Sequence, residues 1–172
     1  MKTLKVLFVM AFVIFSGFSI DSQTDVNGIL NKGTKDEVVV PLKIWCVTIP
    51  NLEGGHNECG QAPLGWVQGH QTHGGNLIPE LSTWEITGCS FSYPVLNSVL
   101  FGTNTVANGD SYDWAGTMEI NVQDKRVTLD IEISGGNGRF EDAEGMCSLT
   151  GTIDLVTRVI NFEGEGYIIF TK

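Results

Sequence analysis

Positive charge is scarce in this chain. Ten Lys and Arg stand against 20 Asp and Glu, a formal net charge of −10. A nucleic-acid partner needs a basic surface, and so does adsorption to an anionic membrane; both are disfavoured. Long apolar runs are scarce too. Only Leu7–Phe15 stands out, well short of the ~20 residues a spanning helix needs, so no membrane insertion is expected. Helical periodicity is absent and no internal repeat is visible. No CxxC spacing exists, histidines number three, and no Ser–His–Asp arrangement follows from spacing. The sequence therefore assigns no catalytic residue, no metal and no cofactor, and leaves open whether the protein is an enzyme.

The short apolar run has the context of a secretory signal. Lys2 and Lys5 precede it, and Ser16, Gly17 and Ser19 follow it, which places cleavage near Ser19. No cysteine follows the run, so lipid attachment is not expected. Removing residues 1–19 takes the formal charge to −12, with 8 basic residues against 20 acidic. Such a surface serves solubility; a cationic partner or bound calcium is the sharper reading. Residues 20–35 are polar and aperiodic, a flexible leader. Residues 36–172 then form one domain, exported to the periplasm or the exterior, with a core large enough to stand alone.

All four cysteines, Cys46, Cys59, Cys89 and Cys147, lie beyond the leader. An even number in an oxidising compartment predicts two disulfides, in any of three connectivities, and no free thiol. Cys46 and Cys147 sit inside strand-like runs, where a buried free thiol is the ordinary alternative.

What the chain has in abundance is period-two alternation. Val127, Leu129, Ile131 and Ile133 share one face; Thr128, Asp130, Glu132 and Ser134 share the other. Gly135, Gly136 and Gly138 then allow a sharp corner, and Met146–Asp154 returns as the next strand. Further strands are predicted at Val38–Ile49, Trp66–His73, Ser82–Ser92, Val95–Val106, Ser111–Val122 and Arg158–Thr171. Pro41 suggests an edge or bulge in the first. The turn Asn108-Gly109-Asp110 is a strong hairpin signal. In the last strand Gly164 and Gly166 lie on an otherwise apolar face, as in a strand coiling around a crowded interior. About eight short strands with tight connections predict an all-β, closed antiparallel barrel, with a two-sheet sandwich as alternative.

Candidate sites each have an ordinary reading. Gly136-Asn137-Gly138 lacks the third glycine of a dinucleotide loop, Glu141 standing there, and reads as a structural corner. Arg139 would pair with Glu141, Asp142 or a free carbonyl rather than bind an anion. His70 and His73 are three apart on a strand and face opposite sides, so they do not share an ion with His56. His73 as a base near Asp110 is set against a structural histidine, with Asp110 capping its own turn. Glu163 and Glu165 would pair with Asp130 or Glu132 if inward, and are merely solvated if outward. Trp45, Trp66, Trp84 and Trp114 either line a ligand cavity or pack a core.

Several separated segments resemble one family when read together. They are Gly69–Gly74, Ala107–Asp110, the corner Gly135-Gly136-Asn137-Gly138-Arg139-Phe140 through Gly145, Gly151–Ile153 and Phe162–Gly164. Over residues 60–170 the chain resembles secreted bacterial barrels related to the plant allene oxide cyclase and dirigent proteins. The resemblance implies an eight-stranded calycin-like barrel with an interior cavity, and the matched motifs look like turn and barrel-closing elements. Departures are Cys147, where a Gly, Thr or Ser is usual; Gly74, where leucine is common; and the loop around Cys59, which has no counterpart. The expectation is a non-catalytic module binding a small apolar ligand or a protein partner. A cyclase- or dirigent-type enzyme working by cavity shape, and a structural cell-surface protein, are the alternatives. Ligand-binding residues and oligomeric state are not legible.

Overall fold

The computed structural model describes Glu37–Thr171. The secretory signal at 1–19, its cleavage near Ser19 and the leader at 20–35 lie outside the described residues. The strands are β1 (Glu37–Pro50), β2 (Leu64–Gln71), β3 (Gly75–Asn76), β4 (Thr83–Ser92), β5 (Val95–Thr105), β6 (Ser111–Asn121), β7 (Arg126–Asn137), β8 (Glu144–Ile153) and β9 (Ile160–Thr171). They are antiparallel in the order β1-β9-β8-β7-β6-β5-β4-β2, and β1 pairs again with β2, closing a ring of eight; β3 hangs on the end of β2. The barrel is the predicted one, and the sandwich alternative falls.

The alternation that predicts each strand is what fills the interior. In β7, Val127, Leu129, Ile131 and Ile133 are buried while Arg126, Thr128, Asp130 and Glu132 are exposed. A register shift at β4 between Ile86 and Gly88 breaks the alternation there, so that beyond it Cys89 and Phe91 lie opposite the buried Ser98 and Leu96 of β5; Phe91, next to the end of the strand, is still 55% exposed. Gly166 shows why side chains are omitted on part of the inner face. A Cβ there would fall on the Met146 carbonyl oxygen and lie 2.6 Å from Cys147 Cα, so β8 and β9 approach as only glycine permits.

Pro41 is not in a bulge but at a local edge, beyond the β1–β2 ladder that starts at Ile44. It pairs with Tyr167 of β9 on one side. Its other side faces the stretch beyond the end of β2, where Thr72 Oγ1 donates to the Pro41 carbonyl at 3.2 Å. Residues 41 and 43 point their backbone polar groups the same way, and Lys43 donates its N–H to Thr72 Oγ1 at 2.9 Å. The N–H that proline lacks thus belongs to the side with no strand to receive it.

The cysteines correct an expectation. One disulfide forms, Cys59–Cys89, with a Cα–Cα distance of 6.3 Å, whereas Cys46 and Cys147 are buried free thiols. The register explains it. Cys46 lies opposite Phe162 and Cys147 opposite Gly166, on the two sides of β9. One intervening strand alone separates two chains by roughly 9–10 Å, beyond the ~7 Å Cα–Cα reach of a disulfide.

Candidate functional site

One end of the barrel is closed by the glycine-rich corner. Gly135 (φ 85°) and Gly138 (φ 66°) take left-handed backbone angles, and Gly135 N–H donates to the Ala143 carbonyl. These turns drive Phe140 inward, where it is fully buried. Its ring meets Tyr112 at 5.2 Å and Phe170 at 5.7 Å between centroids. Arg139 does not pair with Glu141 or Asp142. Its guanidinium lies 4.7 Å from the Phe140 ring centroid and 4.0 Å from Asp110 Oδ2. Asp110 is held in turn by Asn108, whose Nδ2 donates to Asp110 Oδ2 at 2.7 Å while Asp110 N–H donates to Asn108 Oδ1 at 3.1 Å. A Cβ on Gly138 would strike Asp110 Oδ1. The Asn108-Gly109-Asp110 turn and the corner at Gly135, Gly136, Gly138, Arg139, Phe140 and Gly145 are therefore assembled at one end of the barrel.

Above this plug runs a chain of buried hydrogen bonds. Trp114 Nε1 donates to Asn104 Oδ1 at 3.4 Å, Asn104 Nδ2 to Tyr112 Oη at 2.8 Å, and Tyr112 Oη to Gln71 Oε1 at 2.5 Å. Burial raises the Tyr112 hydroxyl above its ordinary pKa, with the Asn104 hydrogen bond opposing. The phenol stays protonated and acts as a donor.

Beyond the chain the interior opens into a cavity of about 190 Å³. Its walls are apolar: Ile44, Val67, Ile86, Leu100, Met118, Leu129, Ile131, Leu149 and Phe162, with the rings of Trp84 and Trp114. Among the described residues no carboxylate and no imidazole lines it. Cys46 is on its wall, with burial the main cause that raises its thiol to about 12. Polar groups enter at Asn104 and at the mouth, through Thr48, Gln61 and Arg158.

The mouth is covered by the segment between β1 and β2. Asn57 Oδ1 accepts from Cys59 N–H at 3.0 Å and Gln61 N–H at 2.9 Å, folding this segment into a tight turn. Three links then pin it: the disulfide to β4, a 2.9 Å bond from Ser98 Oγ of β5 to Gln61 Oε1, and a 2.8 Å bond from Arg158 Nη1 to the Gly60 carbonyl. Removing the disulfide, which joins residues 30 apart, should cost about 2–4 kcal/mol and loosen the cover. Urea unfolding of Cys59→Ser/Cys89→Ser against the parent measures it; an unchanged midpoint would mean that the other two links suffice.

The remaining candidates disperse. Trp84 and Trp114 line the cavity, whereas Trp45 is 48% exposed on the outer wall and Trp66 lies on the same outward register of β2 as Leu64 and Gln68. His70 stacks on Trp45 outside the barrel. His56 is near Arg158, its Nδ1 3.4 Å from Nη1, and His73 sits in a turn at φ 61°. The three do not converge, and His73 makes no hydrogen bond to Asp110 among the described residues. Glu163 and Glu165 face solvent, Glu165 pairing with Lys43 at 3.4 Å; Ser148 of β8 separates Glu165 from Asp130 of β7. Sequence reasoning missed Ser98, Asn104 and Gln71. Their signal was a polar residue at an inward position of an alternating strand.

The architecture defines a class: an eight-stranded antiparallel barrel, plugged at one end, with an apolar cavity that reaches towards the other beneath the segment between β1 and β2. No protein-family model matches the sequence, and a search of curated proteins gave no match. Among solved structures the chain is similar to the pterocarpan synthase dirigent protein GePTS1, with a TM-score of 0.52 and 13% identity over 81% of this chain and 94% of that one. The likeness is one of fold: this is a dirigent-like barrel.

Proposed function

We propose that the barrel is a non-catalytic module that binds a small apolar molecule in its interior. The observation that carries this reading is the cavity itself, apolar along its walls and, among the described residues, without a carboxylate or imidazole to move a proton. The Cys59–Cys89 disulfide suits an oxidising compartment, which supports an exported protein. The runner-up is a dirigent- or cyclase-type protein that steers a reaction by cavity shape, and the fold likeness favours it over a structural role.

Trp84 and Trp114 line the cavity, so titration with naphthol should quench their emission. Ile131→Trp, which fills the space, should weaken binding by about tenfold or more. Quenching that survives the filling variant, or none in the parent, would refute interior binding. Mass spectrometry of the protein from its source, native and then denatured, would name the ligand class through any mass lost. Conversion of that ligand during incubation would favour the runner-up.

A further inference from the structure

The outer wall carries a second concave surface. Trp45 is the one tryptophan with its side chain largely in solvent, 48% exposed. Its direct cross-strand neighbours are His70 on β2 and Glu163 on β9. The His70 ring stacks on it, centroids 6.3 Å apart and planes 30° from parallel, and His70 Nδ1 is itself 3.2 Å from Asn76 Oδ1. The indole is thus backed on one side and held in place.

On the other side a groove of about 590 Å³ crosses β9, β8 and β7. The polar side chains along it are Glu163, Asn161, Thr150, Thr152, Thr128 and Arg126. The register makes this a continuous band, Trp45 opposite Glu163, Glu163 opposite Thr150, and Thr150 opposite Thr128. None of these six polar side chains makes a hydrogen bond or ion pair to another protein side chain among the described residues. The band spans three strand gaps, roughly 14 Å.

We propose that this groove binds an uncharged polysaccharide, one pyranose ring lying with its C–H face on Trp45 and its hydroxyls on Asn161, Glu163 and the threonines. The chemistry selects that occupant. A fixed aromatic ring offers an apolar face, and amide, carboxylate, guanidinium and hydroxyl groups that lack partners supply donors and acceptors at its edge. A protein partner would want large apolar side chains directly beside the indole, and its cross-strand neighbours are His70 and Glu163. A polyanionic glycan meets a molecule of net charge −10.

Affinity electrophoresis in native gels tests this, with hydroxyethyl cellulose, soluble β-glucan, mannan or starch cast in separate gels and alginate as the anionic control. The parent protein should be retarded by at least one neutral glycan. Trp45→Ala should weaken that binding by about tenfold or more, and Trp45→Phe should restore part of it. The cavity variant Ile131→Trp should migrate as the parent does, which separates this site from interior binding. Should Trp45→Ala fail to fold, Asn161→Ala/Thr150→Ala on the exposed wall gives the same readout. Retardation by no neutral glycan, by alginate alone, or undiminished in these variants would overturn the proposal.

Discussion

Replacing Phe140 by alanine should destabilise the barrel by about 3–5 kcal/mol, the range for removing a fully buried phenylalanine. Phe140 has no exposed surface and its ring is in contact with Tyr112 and Phe170. Its truncation leaves a void against the hydrogen-bonded chain from Gln71 to Trp114, where little can move inward to fill it. Phe140→Leu should lose less, because it keeps most of the volume. Arg139→Ala next to it should cost only about 1 kcal/mol or less, since its side chain is 40% exposed and its carboxylate contact is long at 4.0 Å. Urea unfolding of the three variants orders them. A loss for Phe140→Ala no larger than for Arg139→Ala would mean that the corner does not plug the barrel.

Stability should also fall steeply in alkali. Burial, with the neighbouring Cys147 charge second, raises the Cys46 thiol from 9.0 to about 12; burial, with Glu165 and Asp130 behind it, does the same for Cys147. In the unfolded chain both thiols ionise near their ordinary pKa, so the folded state holds the extra protons. Their contribution is complete below pH ~9 and is lost as pH rises towards ~12, at about 1.4 kcal/mol per pH unit for each thiol. Urea midpoints measured across this window should slope downwards in the parent and less so in Cys46→Ala/Cys147→Ala. An equal slope in both would assign the effect to other groups. The same burial predicts that no cysteine reacts with iodoacetamide in the native protein at pH 8, and that two react once it is denatured without reductant.

The strands were legible because most alternate apolar and polar residues, and burial of one face decides the register. β7 is the clearest case, and the glycines of β9 announced close packing before any neighbour was known. Two things escaped. The pairing of cysteines depends on which strands are neighbours, and closure of the ring puts β9 between Cys46 and Cys147. The mouth segment around Cys59 has no alternation to read. Its conformation comes from Asn57 and from links to Ser98 of β5, Cys89 of β4 and Arg158 before β9, all distant in sequence. The buried Asn104 and Gln71 were missed as well: each is a polar residue at an inward position, and its partner Tyr112 lies on another strand.

Ring closure through β1 and β9 has a consequence for how the chain reaches this state. The first described strand pairs with the last over twelve residue positions, from Glu37 opposite Thr171 to Thr48 opposite Ile160. Contacts of such sequence separation carry a high loop-closure cost and fold slowly, and this one cannot begin until β9 has been synthesised. Until then β1 and β8 both present unpaired edges, with Leu42 and Ile44 ready to pair with another chain. A ribosome-bound chain is therefore held open by its own topology. That delay makes premature termination before β9 a direct route to aggregation.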